Sequence, residues 1–178
     1  LGNFCTNDLS AFYLDIRKDS LYCDRLDDTR RRAARTVLDI LFDCLTAWLA
    51  PFICFTAEEA WLIRHPDRSP GNSVHLRTFP DIPDDWRDEE LAQKWHEFRA
   101  VRRVVTGALE KERAEKRIGS SLQAAPVVYA PAKTAKLFES MDAAELFITS
   151  GVAFAEGDAP SDAFTLEDVA GVAVVPVP

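Results

Sequence analysis

The sequence predicts a mainly α fold. A helical bundle occupies residues 1–118, and a small α/β appendage occupies residues 119–178. Three observations carry this. Apolar side chains recur at helical spacing in three long segments. No proline interrupts residues 88–118, the longest of them. After Gly119 the pattern changes to short apolar runs such as Pro126-Val-Val-Tyr129, which read as strands.

The first helix places Leu9, Phe12, Tyr13 and Ile16 on one face and ends near Leu21–Asp24. The second begins around Asp27 or Asp28, where acids suit the helix dipole. Its apolar stripe is Val37, Leu38, Leu41, Leu45, Trp48 and Leu49, and Pro51 stops it. Thr56-Ala-Glu-Glu59 reads as a capping box that opens a short third helix. Phe52, Phe55 and Trp61 are then expected to staple this corner to the bundle. Residues 65–87 hold four of the ten prolines and read as an irregular crossing, with a short extended piece at Val74–Leu76.

Leu91, Trp95, Phe98, Val101, Val105 and Leu109 trace the face of the long fourth helix, with Gly119 as its stop. In the appendage, strands are expected at Pro126–Tyr129, Phe147–Thr149, Val152–Phe154 and Val172–Val175. A helix with Pro131 in its first turn is expected to run to about Phe138. The strand order stays open.

Composition narrows the function. With 29 acids against 21 bases the formal charge is −8, which excludes a uniformly basic nucleic-acid protein but leaves room for a local basic face. No apolar run approaches the roughly 20 residues that span a bilayer, so no membrane role is expected. Cys5, Cys23, Cys44 and Cys54 show no C-x-x-C spacing, and His65, His75 and His96 form no ligand pattern. The cysteines are expected to be reduced, and no metal site is expected. Phosphate-loop, dinucleotide, nucleophile-elbow and zincin motifs are all absent, so no catalytic residue is nominated.

The basic clusters are the stronger signal. Arg30, Arg31, Arg32 and Arg35 crowd the start of the second helix, and Arg17 and Lys18 close the first, with Tyr22 just beyond. Arg99, Arg102 and Arg103 lie on neighbouring faces of the long helix. Guanidinium forks suit phosphate oxygens, and a tyrosine can stack on an unpaired base. The candidate RNA contacts are therefore Arg17, Lys18, Tyr22, Arg30, Arg31, Arg32, Arg99, Arg102 and Arg103. The ordinary alternative is a solvated face, since residues 1–40 hold seven bases and seven acids. On that reading the chain is an acidic helical protein-interaction module. Trp48, Trp61 and Trp95 are assigned to packing, and Trp86 to the proline-rich crossing.

Several strings then add up to a resemblance. Phe12-Tyr-Leu-Asp-Ile-Arg-Lys-Asp-Ser-Leu-Tyr-Cys23, Arg32-Ala-Ala-Arg-Thr-Val-Leu38 and Trp48-Leu-Ala-Pro-Phe-Ile-Cys-Phe-Thr-Ala-Glu-Glu-Ala-Trp61 follow one another at spacings seen in class I aminoacyl-tRNA synthetases. Ser73-Val-His-Leu76, Phe79-Pro80 and the exit Arg117-Ile-Gly-Ser-Ser-Leu-Gln-Ala124 continue the series. The whole resembles the anticodon-binding region of bacterial-type isoleucyl-tRNA synthetases over residues 8–125, ahead of the valyl and leucyl branches. The Trp48–Trp61 signature reads mainly as a folding device.

The resemblance implies a parent enzyme that joins isoleucine to its tRNA with ATP and magnesium. It implies catalytic and editing domains on the same parent chain, a cytoplasmic setting and a monomer. A zinc-binding module follows this region in many relatives. None of these domains' motifs occurs in the 178 residues, which both begin and end as if cut from a longer chain, so no activity is expected from them alone.

Overall fold

A computed structural model describes residues 1–67 and 69–177. Residues 1–87 and 88–178 form two compact units. The 118/119 boundary above follows a change of secondary structure. The compact units follow packing, and the long helix buries its apolar face within 88–178.

The first unit opens with a π-helical stretch, Phe4–Leu14, that runs straight into α1, Asp15–Cys23. Helix therefore starts earlier than the Leu9 spacing implies, beginning where the Cys5 N–H donates to the Leu1 carbonyl at 2.9 Å. No side chain of the π stretch is fully buried, whereas Ile16 and Ser20 of α1 are. The Asp28 carboxylate caps α2, Thr29–Leu49, by accepting from the Arg30 N–H at 2.8 Å, as the acids at this helix start predict. The predicted stripe of α2 is only half-buried, and Val37 within it is exposed. Its fully buried side chains are the small Ala34, Cys44, Thr46 and Ala47, which let neighbouring elements come close.

The corner after α2 differs from expectation. Helix α3, Cys54–Arg64, starts two residues before Thr56, with Ile53 at the cap position and no side-chain cap. The turn is held by Phe52 and Ile53 N–H groups donating to the Leu49 carbonyl, each at 2.9 Å. Thr56 thus lies inside the first turn and caps nothing. Nor do the phenylalanines staple the corner: Phe52 is 80% exposed and Phe55 is 92% exposed. Trp61 alone packs inward, against Ala50, Ala57 and Val74. Its Nε1–H donates to Asn72 Oδ1 at 2.7 Å, and the Arg77 guanidinium lies 4.1 Å above its ring. Val74–Leu76 is a 3₁₀ turn instead of an extended piece. Glu58 fixes it by accepting from Ser73 Oγ at 3.0 Å and from the Val74 N–H at 2.8 Å.

The second unit is built on α4, Glu89–Ala114, capped by Asp88 through the Leu91 N–H at 2.8 Å. Phe98, Val101, Val104, Val105, Ala108 and Leu109 are buried along it, while Leu91 of the predicted stripe stays exposed. The helix stops at Lys116, not at Gly119. Lys116 takes a left-handed conformation, φ 59°, and its N–H donates to the Arg113 carbonyl while that of Arg117 donates to the Glu112 carbonyl. This is the Schellman arrangement. Gly119 instead donates to Gln123 Oε1 at 2.6 Å, within a capping box formed by Ser120 and Gln123.

The appendage carries four short strands: β1 Val127–Tyr129, β2 Ala153–Ala155, β3 Phe164–Thr165 and β4 Ala173–Val175. Their order is β2-β1-β4-β3, with β1 parallel to β2 and the other pairs antiparallel. Helices α5, Ala132–Leu137, and α6, Ala143–Phe147, lie in the parallel crossover. The strand expected at Phe147–Thr149 is absent. Phe147 ends α6, and Ile148 turns the chain in a left-handed conformation, φ 57°. The ring of Phe164 on β3 lies against Gly107 of α4, where an added Cβ would meet it at 2.7 Å. Phe98, Phe138, Phe147 and Phe154 form a chain of ring contacts that closes the core.

Candidate nucleic-acid interface

The nine candidate residues fall into the two compact units. Six sit on the α1–α2 hairpin, and three on α4.

On the hairpin, Lys18 and Tyr22 are one turn apart on α1 and so share a face. Tyr22 is 83% exposed, a ring with almost nothing of this chain upon it. Arg17 is half-buried, and its cation is the nearby charge felt by the Tyr13 phenol, whose pKa burial pushes up. The link to α2 is tied down from both sides. Ser20 Oγ donates to Asp24 at 2.7 Å, and Arg31 Nη1 donates to the Asp24 carbonyl at 2.7 Å. Arg31 therefore stitches the two helices together, and its half-buried position suits that work better than contact with a ligand. Its Nε–H is buried with no partner among the described residues. Arg30, Arg32 and Arg35 are set around the first turns of α2, with Arg30 and Arg32 at its cationic start.

Acids interleave with these bases. Lys18 pairs with Asp15 at 3.6 Å, and Arg25 with Asp27 at 3.2 Å. Both pairs are largely solvated and hold their partners weakly. Arg32 and Arg35 have no ion pair among the described residues. Leu26, 75% exposed between Arg25 and Asp27, adds an apolar side chain to this tip. Sequence reasoning passes it over because nothing but its position in the link marks it.

On α4 the three arginines part company. Arg102 Nε donates to the Leu146 carbonyl at 2.9 Å, tying α4 to the end of α6. Arg103 forms an ion pair with Asp168, and that hydrogen bond holds the Asp168 carboxyl below the usual carboxylate range. Arg99 lines an open groove of about 570 Å³ with Trp95, His96 and Arg103. Trp95 thus has one side on Phe98, at 5.5 Å between ring centroids, and another on the groove. Its assignment to packing misses this, because helical spacing reports a face and not its edge.

No group of three His, Cys, Asp or Glu side chains suited to a metal ion occurs among the described residues. No helix among them is long and apolar enough to cross a membrane. The cysteines Cys5, Cys23, Cys44 and Cys54 are all free thiols.

Comparison with known proteins decides the family. The family described as the anticodon-binding domain of tRNA ligase matches residues 1–129. The chain belongs to this anticodon-binding family. It is 56% identical over 176 residues to the isoleucine–tRNA ligase of Mesorhizobium japonicum, covering 98% of this chain and 17% of that protein. It is 55% identical to the isoleucine–tRNA ligase of Brucella abortus and 52% identical to that of Caulobacter vibrioides. Each match covers 99% of this chain and 18% of the relative. This anticodon-binding chain thus spans less than a fifth of the length of these relatives. The family match takes in the hairpin, α4 and β1, so both basic clusters lie within it.

Proposed function

We propose that this chain is the tRNA-positioning part of an isoleucine–tRNA ligase. In this reading residues 1–118 form the anticodon-binding bundle and residues 119–178 a junction. The parent enzyme carries out ATP- and magnesium-dependent aminoacylation in a catalytic domain outside these residues, alongside an editing domain. No reaction step is assigned to the chain itself. Zinc, where a relative uses it, belongs to another module. We place the parent in the cytoplasm as a monomer with isoleucine tRNA as its nucleic-acid partner.

The hairpin tip carries the proposal: one exposed aromatic ring, Tyr22, within a turn of Lys18, with Arg30 and Arg32 at the start of the next helix. Cations there neutralise phosphates, and an unstacked anticodon base lies on the tyrosine ring. Arg17, Arg31 and Arg102 serve as positioning residues, since each is half-buried. Arg99 and Arg103 offer a second phosphate-binding spot. Binding the remote end of the tRNA assists catalysis by orienting its acceptor end.

The test is made in the full-length ligase. Lys18→Ala with Arg32→Ala should raise the KM for tRNA. It should also lower the magnitude of the salt slope of binding by about 0.7 to 0.9 for each phosphate that is no longer neutralised. ATP–pyrophosphate exchange, which needs no tRNA, should not change. Tyr22→Phe should keep binding, and Tyr22→Ala should weaken it by about 1–3 kcal/mol. Unchanged tRNA affinity in all of these variants would exclude the hairpin tip as the interface.

A further inference from the structure

Pro51-Phe52-Ile53-Cys54-Phe55 are five consecutive apolar residues, and every one of them is exposed. Such a run on a folded surface marks a site that something else covers. The backbone beneath is rigid. The Leu49 carbonyl accepts from both Phe52 and Ile53, and the Ile53 carbonyl accepts from Ala57 at 2.9 Å. From this turn the two phenyl rings stand in solvent, away from the Trp61 cluster. Helix α3 has the same unfinished character. Its one fully buried side chain is Ala57, and Ile63 is exposed further along.

We propose that the Pro51–Phe55 corner is a docking surface for the part of the same ligase chain that lies outside these 178 residues. Two observations choose that occupant. More than four-fifths of each relative's length lies beyond this segment, which supplies a large body on the same polypeptide. The corner also carries no charge from Pro51 to Phe55, whereas the cationic tip lies at the opposite end of α2, about 30 Å away at 1.5 Å per residue over 21 residues. No cationic side chain stands between Pro51 and Phe55 to hold RNA phosphates, while the exposed phenyl rings match an apolar protein surface. The inference rests on the proposed reading of this chain as part of a longer ligase, and not on the choice of RNA-binding residues.

Two exposed thiols make the test direct, because Cys23 lies beside Tyr22 and Cys54 lies in the corner. Full-length ligase without tRNA is treated with N-ethylmaleimide, and each site is scored by mass spectrometry against its rate in the unfolded chain. Cys54 should react at least tenfold more slowly than Cys23. Phe52→Ser with Phe55→Ser should bring the two rates together while ATP–pyrophosphate exchange persists. Equal rates in the unaltered enzyme overturn the proposal. So does shielding of Cys54 that vanishes on dilution, which would mean a second copy, or shielding that needs tRNA. Protection of Cys23 by added tRNA reports separately on the hairpin tip, so the two readings can fail independently.

Discussion

Residues 1–87 and 88–178 are compact units that reach compactness by different means. The second encloses large side chains completely: Phe98, Val101, Val104, Val105, Leu109, Val128, Phe138, Leu146 and Phe147. The first buries mostly small ones, Ala34, Cys44, Ala47, Ala50 and Ala57, and leaves Tyr22, Leu26, Phe52, Phe55 and Ile63 in solvent. Apolar area removed from water is the main favourable contribution to folding. The second unit thus holds its stability internally. The first leaves several large apolar and cationic side chains in solvent.

The sharpest way to break this contrast is a cavity in the second unit. Leu109→Ala should lower unfolding stability by about 3 kcal/mol, read from the urea midpoint; Leu109 is only 2% exposed, so the site cannot relax into solvent. Next in size is overpacking. Gly107→Ala drives a methyl into the Phe164 ring and should cost about 2 kcal/mol, seen as a lowered thermal midpoint. A smaller effect lies in the buried Glu112, which pairs with Arg117. The hydrogen bond from Arg117 holds the Glu112 carboxyl below its ordinary value of 4.5. Its contribution is therefore complete above about pH 4.5 and is lost as the pH falls through the lowered value. Glu112→Gln should cost about 1 kcal/mol at neutral pH, because Arg117 is half-exposed and screened. It should also flatten the acid limb of the stability profile. At the bottom of the scale, Phe55→Ser in the first unit should change the stability of these 178 residues by no more than about 0.5 kcal/mol. A large loss there would mean that Phe55 packs against the first unit itself.

How far the sequence is readable follows the same division. The face of α4 from Phe98 to Leu109 is legible because one continuous period of 3.6 decides it. Strands β1, β2 and β4 are legible as short apolar runs. Phe147–Thr149 misleads because isoleucine is a strong strand former, and only the left-handed backbone of Ile148 shows that it closes a helix. The Thr56–Glu59 signal is genuine as a pattern but loses to a turn made by backbone groups alone, which starts α3 earlier. Phe52 and Phe55 read as packing because large apolar residues usually are. No spacing rule says whether the partner lies in the same segment. At the candidate interface, residue type points to Lys18, Tyr22 and Arg32. Only geometry separates them from Arg31 and Arg102, whose guanidinium groups hold backbone carbonyls.

The stop of α4 has a consequence for how far this chain is from its own optimum. A left-handed residue costs any side chain but glycine about 1 kcal/mol or more. Position 116 is a lysine, so the helix end is enforced by the surrounding hydrogen bonds and the Glu112–Arg117 pair against local backbone preference. Natural selection has left headroom here. A glycine at 116 is open to the chain as a stabilising step that touches neither the cationic tip nor the apolar corner.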